Sequence, residues 1–292
     1  VRTDPGTVDW SAALEWAQEK LGDPAGDVRR LSGGWTSTML AISGDGHEPA
    51  VLRLMTNEPW RTHGEPLTTR ESEIQRMLAA TDVPAPRSLA LDATGERCGH
   101  PAHLMTLLPG RIEPQRDDAA SLVRFAELLA SIHAIEATID VRSYQSWAWE
   151  AKFVVPAWAT DAGLWEDAFA LLRGEPPAYE PCFIHRDFQP RNVLWDRDEI
   201  TGVVDWVETS IGPAWLDVAH CATNLAIMHS NEVADRFADA YVTTTGRPPQ
   251  PYFDVMDVVG FLPPPGRASF ITDPAELARL EQRLAVVLPR CR

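Results

Sequence analysis

Positive charge is scarce in this chain. Its 292 residues carry 26 Lys and Arg against 42 Asp and Glu, a formal net charge of -16. A surface so acidic repels nucleic acid and anionic membranes, so neither is an expected partner. It attracts cationic ligands, although acidity also serves solubility alone. Cysteine is scarce as well: Cys98, Cys182, Cys221 and Cys291 form no C-x-x-C pair. That argues against the usual zinc-ligand spacing and against a disulfide-dense scaffold, and it points to reduced thiols in a cytoplasmic setting. No apolar run approaches the ~20 residues that a membrane-spanning helix needs. The opening residues, Val1-Arg2-Thr3-Asp4-Pro5-Gly6, are polar and lack the apolar core of a secretory signal. Val1 in place of Met leaves an alternative start codon and a trimmed chain equally open. Internal repeats and low-complexity tracts are missing too.

What is present divides into two patterns. Apolar spacing predicts a short helix over residues 10–21, with Asp9 as its cap. A glycine-rich turn follows at residues 31–36. Residues 39–42 and 50–54 read as strands joined by the turn Ser43-Gly44-Asp45-Gly46. A helix is predicted over residues 68–80, with Leu67, Ile74, Met77 and Leu78 on its apolar face. Glu71, at the edge of that face, is directed inward, and Glu73 meets water. Val83-Pro84-Ala85-Pro86 ends the helix and begins an extended segment. Residues 102–108 read as a strand stopped by Pro109-Gly110.

The expected boundary falls there, giving a nucleotide-binding lobe over residues 1–108 and a catalytic, substrate-binding lobe over residues 109–292. Beyond it, Leu122, Phe125, Ala126, Leu129, Ile132 and His133 predict a long buried helix, with His133 as a hydrogen-bonded core residue. Residues 192–206 read as a hairpin carrying Asn192 and Asp205 at its outer ends. Helices are expected over residues 213–228, 232–244 and 274–287. A strand-rich first third and a helical remainder predict an α+β fold of two lobes.

Chemistry concentrates in Cys182-Phe183-Ile184-His185-Arg186-Asp187-Phe188-Gln189-Pro190-Arg191-Asn192 and in Val203-Val204-Asp205-Trp206. Asp187 and Asn192 have the H-R-D-x-x-x-x-N spacing of a kinase catalytic loop. Phosphoryl transfer needs positioning and charge neutralisation more than covalent chemistry. Asp187 is the candidate base for an acceptor hydroxyl. Asn192 and Asp205 are the candidate magnesium ligands, because an Asp in an apolar strand end is costly to bury without a cation or donor. Singly, Asp187 and Asn192 also suit turn caps. Gly33 and Gly34 would let backbone amides approach phosphates, or simply close a hairpin. Arg53 is the candidate α/β-phosphate contact, paired with Glu71; the bland reading is an exposed arginine. His185 and Asp217 read as braces of the loop. Trp147, Trp149, Trp158 and Trp165, among Glu150, Asp161, Glu166 and Asp167, fit either a cationic hydroxylated ligand or a helical pair packing its rings inward.

These motifs resemble the aminoglycoside phosphotransferase family of small-molecule kinases, from about residue 31 to residue 225. The resemblance implies the two-lobe protein-kinase-like fold, magnesium as cofactor and ATP or GTP as co-substrate. It implies a small-molecule hydroxyl acceptor, first of all an aminoglycoside-type antibiotic, with macrolides, peptide antibiotics, choline and homoserine-like alcohols as relatives' alternatives. It places adenine against the backbone of Thr106 and Leu108, with Met105 behind it, and matches Glu71 to the family's helix glutamate. The chain departs from the family at Arg186, where glycine is common, at Gln189, where His is common, and at Arg53, where antibiotic kinases often carry Lys. Two rival classes remain open: a catalytically silent nucleotide-binding scaffold, and a metal-dependent hydrolase using His185 and Asp187. The oligomeric state is not legible.

Overall fold

A computed structural model describes residues 9–22, 26–31 and 36–292. The chain forms two compact units. One runs up to Gly110 and takes in Thr201–Val207; the other comprises Arg111–Ile200 and Glu208–Arg292.

The first unit begins with helix α1 (Ser11–Leu21), whose opening amide and hydroxyl at Ser11 both donate to Asp9 Oδ1. Strands β1 (Asp27–Arg30), β2 (Thr38–Ser43) and β3 (Ala50–Leu54) follow, then helix α2 (Gly64–Leu78) and strands β4 (Ser88–Asp92) and β5 (Ala102–Thr106). The strands form one antiparallel sheet in the order β1-β2-β3-β5-β4. Alternation along β3 sorts its side chains. Leu52 and Leu54 join the apolar cluster of Ala13, Trp16 and Ala17 from α1. Arg53 therefore takes the opposite face, in register with His103 of β5. Helix α2 begins one turn earlier than residue 68, because Pro66 falls in its first turn, where a missing N–H costs nothing. Glu71 is fully buried and Glu73 exposed, as their angular positions require.

The second unit opens with β6 (Arg111–Ile112) and α3 (Ala119–His133), whose cap Asp118 accepts from the Ser121 amide at 3.0 Å. Helix α4 (Ala162–Leu172) and strand β7 (Pro181–Ile184) come next. After the loop of residues 185–192, β8 (Val193–Asp196) pairs antiparallel with β6 and turns at Arg197, φ 55°, into β9 (Glu199–Val203). The ladder ends at Val203, so the predicted strand to Trp206 is too long. Asp205 has φ 68°, a left-handed backbone that leaves the pleat, and Trp206 begins a short 3₁₀ turn. Strand β10 (Ser210–Pro213) pairs antiparallel with β7. Gly212 is needed there: a Cβ would sit 2.9 Å from Ile184 Cδ1 and 3.0 Å from Tyr144 Cδ1.

Helix α5 (Ala214–Met228) is buried from Ala214 to Ile227 and is the axis of this unit. Helices α6 (Asn231–Thr245), α7 (Pro251–Gly260) and α8 (Pro274–Val287) complete it. Arg283, 0 % exposed, ties three of them by bonding Asp235 at 2.7 Å and Asp254 at 3.2 Å. Residues 144–161 are mostly irregular, so the helical pair expected for the tryptophans is a single helix, α4. No helix among the described residues is long and apolar enough to cross a membrane.

Candidate active site

In the first unit, three charged side chains assemble behind the sheet. Arg53 is buried, which overturns the exposed-arginine reading. Its Nη1 donates to Asp205 Oδ1 at 3.0 Å and lies 3.0 Å from Glu71 Oε1, close enough for an ion pair but without hydrogen-bond alignment. Glu71 Oε2 lies 3.0 Å from His103 Nδ1, and the Trp206 amide donates to the same carboxylate. Burial alone would raise the Glu71 pKa and is the largest single influence; Arg53, His103 and Trp206 together outweigh it, so the carboxyl sits below its ordinary value. The Asp205 side chain remains 36 % exposed. Its carboxylate is a hard oxygen donor of the kind magnesium takes.

The residues expected to meet adenine are also in this unit. Met105 is buried, with Gln75 Nε2 3.3 Å from its sulfur. The Thr106 amide already donates to the Arg87 carbonyl at 3.0 Å, so the Thr106 backbone has only its carbonyl to offer a ligand. Leu108 follows β5 at the end of the sheet. Gly33 and Gly34 lie outside the described residues.

In the second unit, the loop after β7 is braced from α5. Asp217 Oδ2 accepts from the His185 amide and Oδ1 from the Arg186 amide, each at 2.7 Å. His133 supports Asp217 from α3 at 3.2 Å and meets Tyr241 Oη at 2.6 Å, which makes it the core histidine its position on α3 predicts. Asp217 is held below the usual carboxylate range: burial, the strongest influence, pushes it up, and His133 and His185 overcome it. His185 Nδ1 accepts the Asp187 amide at 3.2 Å.

Arg186 has φ 73°, the left-handed conformation for which glycine is the ordinary choice. A non-glycine residue there costs roughly 1–2 kcal/mol. The Asp217 bond to its amide and the stacking of its guanidinium 3.6 Å above the Trp147 ring hold it in place.

Asp187 is the hub of the loop. Its Oδ1 accepts from Gln189 Nε2 at 2.8 Å, and His220 Nε2 stands 2.9 Å from the same oxygen. Asn192 Nδ2 donates to Asp187 Oδ2 at 2.9 Å and to the Asp187 carbonyl at 2.8 Å. The Asn192 amide nitrogen is thus spent on Asp187, and its oxygen is a hard donor of the kind magnesium takes. Burial acts most strongly on Asp187 and would raise its pKa, but His220, His185 and Asn192 more than compensate, keeping the carboxyl ionised.

Sequence reading missed His220 and Asp257. A signal existed: Asp217, His220 and Asn224 recur at i, i+3 and i+7, a polar stripe on an otherwise apolar helix. In the tryptophan-rich segment, Arg186 stacks on Trp147 and Lys152 lies 4.5 Å over Trp149, so two of the rings already carry the chain's own cations. Trp165 is fully buried and donates to Glu281 at 3.0 Å. Glu150 pairs with Arg173, and Asp167 with Arg292.

A β-rich unit followed by a helical unit with an H-R-D-x-x-x-x-N loop is the architecture of the protein-kinase-like phosphotransferases. The chain belongs to the phosphotransferase enzyme family, APH, whose model matches residues 27–252. It is 29% identical over 157 residues to a homoserine kinase of Methylocella silvestris, covering 49% of each chain. It is 26% identical over 202 residues to acyl-CoA dehydrogenase family member 10 of Mus musculus, covering 61% of this chain and 19% of that protein. The chain thus spans about half the length of one curated relative and about a fifth of the other. Among solved structures, aminoglycoside phosphotransferase APH(4)-Ia superposes with a TM-score of 0.67 at 17% identity, over 96% of this chain and 98% of that one. A ternary complex of a thermostable mutant of that enzyme with ADP and hygromycin B gives 0.63 at 17% identity, over 96% and 98%. The streptomycin–ATP complex of APH(2″)-IIa gives 0.59 at 15% identity, over 87% and 88%. At such identities the likeness establishes a shared α+β, protein-kinase-like fold.

Proposed function

We propose that this protein transfers the γ-phosphoryl group of ATP or GTP to a hydroxyl of a small molecule. The observation that carries this reading is Asp187, held ionised by Asn192, Gln189 and His220 within the kinase-type loop. Asp187 accepts and orients the acceptor hydroxyl. Family membership supports a nucleotide co-substrate, as do the ADP and ATP in the complexes of similar fold. Met105, Thr106 and Leu108 would meet the adenine. Gly33, Gly34 and Arg53 would meet the phosphates, with Glu71 fixing Arg53. Arg53, Glu71, Met105, Thr106 and Leu108 share the first unit, which supports reading it as the nucleotide lobe and the other as the catalytic lobe.

Magnesium would be held by Asp205 and Asn192. The fit rests on donor chemistry: a partly exposed carboxylate and a side-chain amide oxygen are hard donors of the kind magnesium takes. Among the described residues no group of three His, Cys, Asp or Glu side chains gathers as a metal site, so these oxygens would act with phosphate oxygens rather than as a protein cage. When bound, the ion would neutralise phosphate charge. The chain's own residues orient the acceptor and take its proton.

The acceptor is proposed to be cationic, since a net charge of -16 raises the local concentration of such molecules. Aminoglycosides, bound by the solved relatives, are the first to test, followed by homoserine, choline, macrolides and peptide antibiotics. Antibiotic resistance would be the cellular consequence of the first. A steady-state assay with magnesium-ATP or magnesium-GTP and this panel should identify one turned-over acceptor. Turnover of none, beside an active control kinase, would sink the reading and favour a silent scaffold. Calorimetry should find weaker magnesium-nucleotide binding in Asp205→Ala; wild-type affinity would remove Asp205 from the metal site.

A further inference from the structure

His220 enters the reading above only as one of the neighbours that keep Asp187 ionised, yet its own surroundings say more. It lies on α5, 4 % exposed, with Nε2 2.9 Å from Asp187 Oδ1 and Nδ1 2.9 Å from Asp257 Oδ1. Its ring stacks on Phe261 at 5.6 Å and meets Trp147 edge-on at 5.2 Å, so it is locked in orientation. An ionised carboxylate only accepts hydrogen bonds. An imidazole flanked by two of them satisfies both only with a proton on each nitrogen. Asn224 Nδ2, 3.2 Å from Nε2, donates one of its two hydrogens to the His220 carbonyl at 2.9 Å.

We propose that His220 is a positioning residue for phosphoryl transfer: an imidazolium, anchored by Asp257, that saturates Asp187 Oδ1 and leaves Oδ2 as the oxygen that receives the acceptor proton. The inference rests on the phosphotransferase reading for its consequence, not for its geometry. Oδ1 carries two donors, Gln189 and His220, and Oδ2 carries one, Asn192. The free lone pair is therefore on Oδ2. In the transfer step, the acceptor O–H proton passes to Oδ2 while the acceptor oxygen bonds the γ-phosphorus. The bond from that phosphorus to the β,γ-bridging oxygen breaks, and its electron pair leaves with the nucleoside diphosphate.

The anchor has its own support. Asp257 is buried, and its Oδ2 has no hydrogen-bond partner. Arg186 from the loop and Lys152 from the 3₁₀ turn at Glu150–Lys152 act on it electrostatically. Asp257 in turn favours the proton on His220. The charged groups around His220 are thus Asp187 on the loop and Asp257 on α7, with Arg186 and Lys152 beyond. Burial opposes the His220 charge most strongly; the two carboxylates prevail and hold its pKa at about 9.

Nitrogen-15 NMR of the full-length, histidine-labelled protein tests the clamp without any acceptor. The expected spectrum at pH 7.5 has both His220 nitrogens protonated, and Asp257→Asn lowers the midpoint of their titration. A His220 ring protonated on one nitrogen at pH 7.5 would overturn the proposal. With an acceptor from the panel, His220→Leu should lower kcat roughly 10- to 100-fold, the scale of a misplaced reacting group, with KM for magnesium-ATP nearly unchanged. His220→Gln, which restores a donor, should recover part of that loss. Wild-type kcat in His220→Leu, or a loss that falls on KM for magnesium-ATP, would also overturn it. If the wild type turns over no acceptor, the phosphotransferase reading fails while the nitrogen spectrum still decides the clamp.

Discussion

Both units hold a cation between two carboxylates, and they differ in which cation. In the first unit Arg53 lies between Glu71 and Asp205. In the second His220 lies between Asp187 and Asp257. The pattern recurs because a buried carboxylate needs a partner, and one cation placed between two carboxylates can serve both. A guanidinium is charged at every pH at which the protein folds; an imidazolium is not. The first cluster is thus a fixed structural charge set, and the second a titratable one built around the proposed base.

The sharpest way to break the comparison is to remove the fixed cation. Arg53→Ala leaves Glu71 wholly buried with only His103 and a backbone amide as partners. Losing one partner of a buried pair costs about 3–5 kcal/mol. A urea melt should show that loss, and Arg53→Lys should show less of it. A melt within about 0.5 kcal/mol of wild type would mean that Glu71 takes up a proton at little cost.

The second test acts on chemistry. Asp187→Ala should lower kcat by about 100-fold or more, roughly 2.7 kcal/mol of barrier. An unchanged kcat would remove Asp187 from the mechanism. Because its neighbours hold the Asp187 carboxyl below the ordinary value of 3.8, the pH–rate profile should show no acid limb from this group above about pH 4.

The third test uses the difference in titration. The folded His220 pKa, about 9, lies above the ordinary 6.5. The native state therefore binds the proton more tightly than the unfolded chain. Its contribution to stability is complete below about pH 6.5 and is lost as pH rises through about 9. The slope reaches at most about 1.4 kcal/mol per pH unit. Lys152 works the other way, since burial lowers its pKa to about 8 and its penalty is relieved as pH rises. Melts of wild type and His220→Gln from pH 6 to 10 cancel the lysine contribution. The difference between the two curves should shrink with rising pH, and a constant difference would refute the assignment. Arg53 variants should show no such convergence.

The two clusters were unequally legible in the sequence. Asp187, Asn192 and Asp205 stand out because their spacing belongs to a known loop, and Glu71 because helical periodicity aims it inward. Arg53 was ambiguous: a strand sequence does not say which face its partners occupy until α2 is packed against the sheet. His220 and Asp257 were invisible as a pair because they lie on separate helices, and their meeting depends on how α5 and α7 pack. The left-handed backbone at Arg186 and Asp205 was only faintly signalled, by the family's glycine at the first position and by the tolerance of Asp for positive φ at the second. Strand β10 and helix α7 were missed because β10 is only four residues long and α7 sits between two proline clusters that read as loop.

The smallest effect is the one that separates burial from charge. Glu71 and Glu73 are two residues apart on α2, the same residue type in the same helix; one is 0 % exposed and ion-paired, the other faces water. Glu71→Gln removes a carboxylate that Arg53 and His103 both use, and leaving part of that network unpaired should cost about 1–3 kcal/mol in a urea melt. Glu73→Gln changes the net charge by the same amount but should shift the melt by no more than about 0.5 kcal/mol. Equal effects of the two substitutions would mean that overall acidity, not the Arg53 cluster, governs stability in this unit. A loss confined to Glu71→Gln would fix the cluster as the cause, because the helix propensity change is common to both positions.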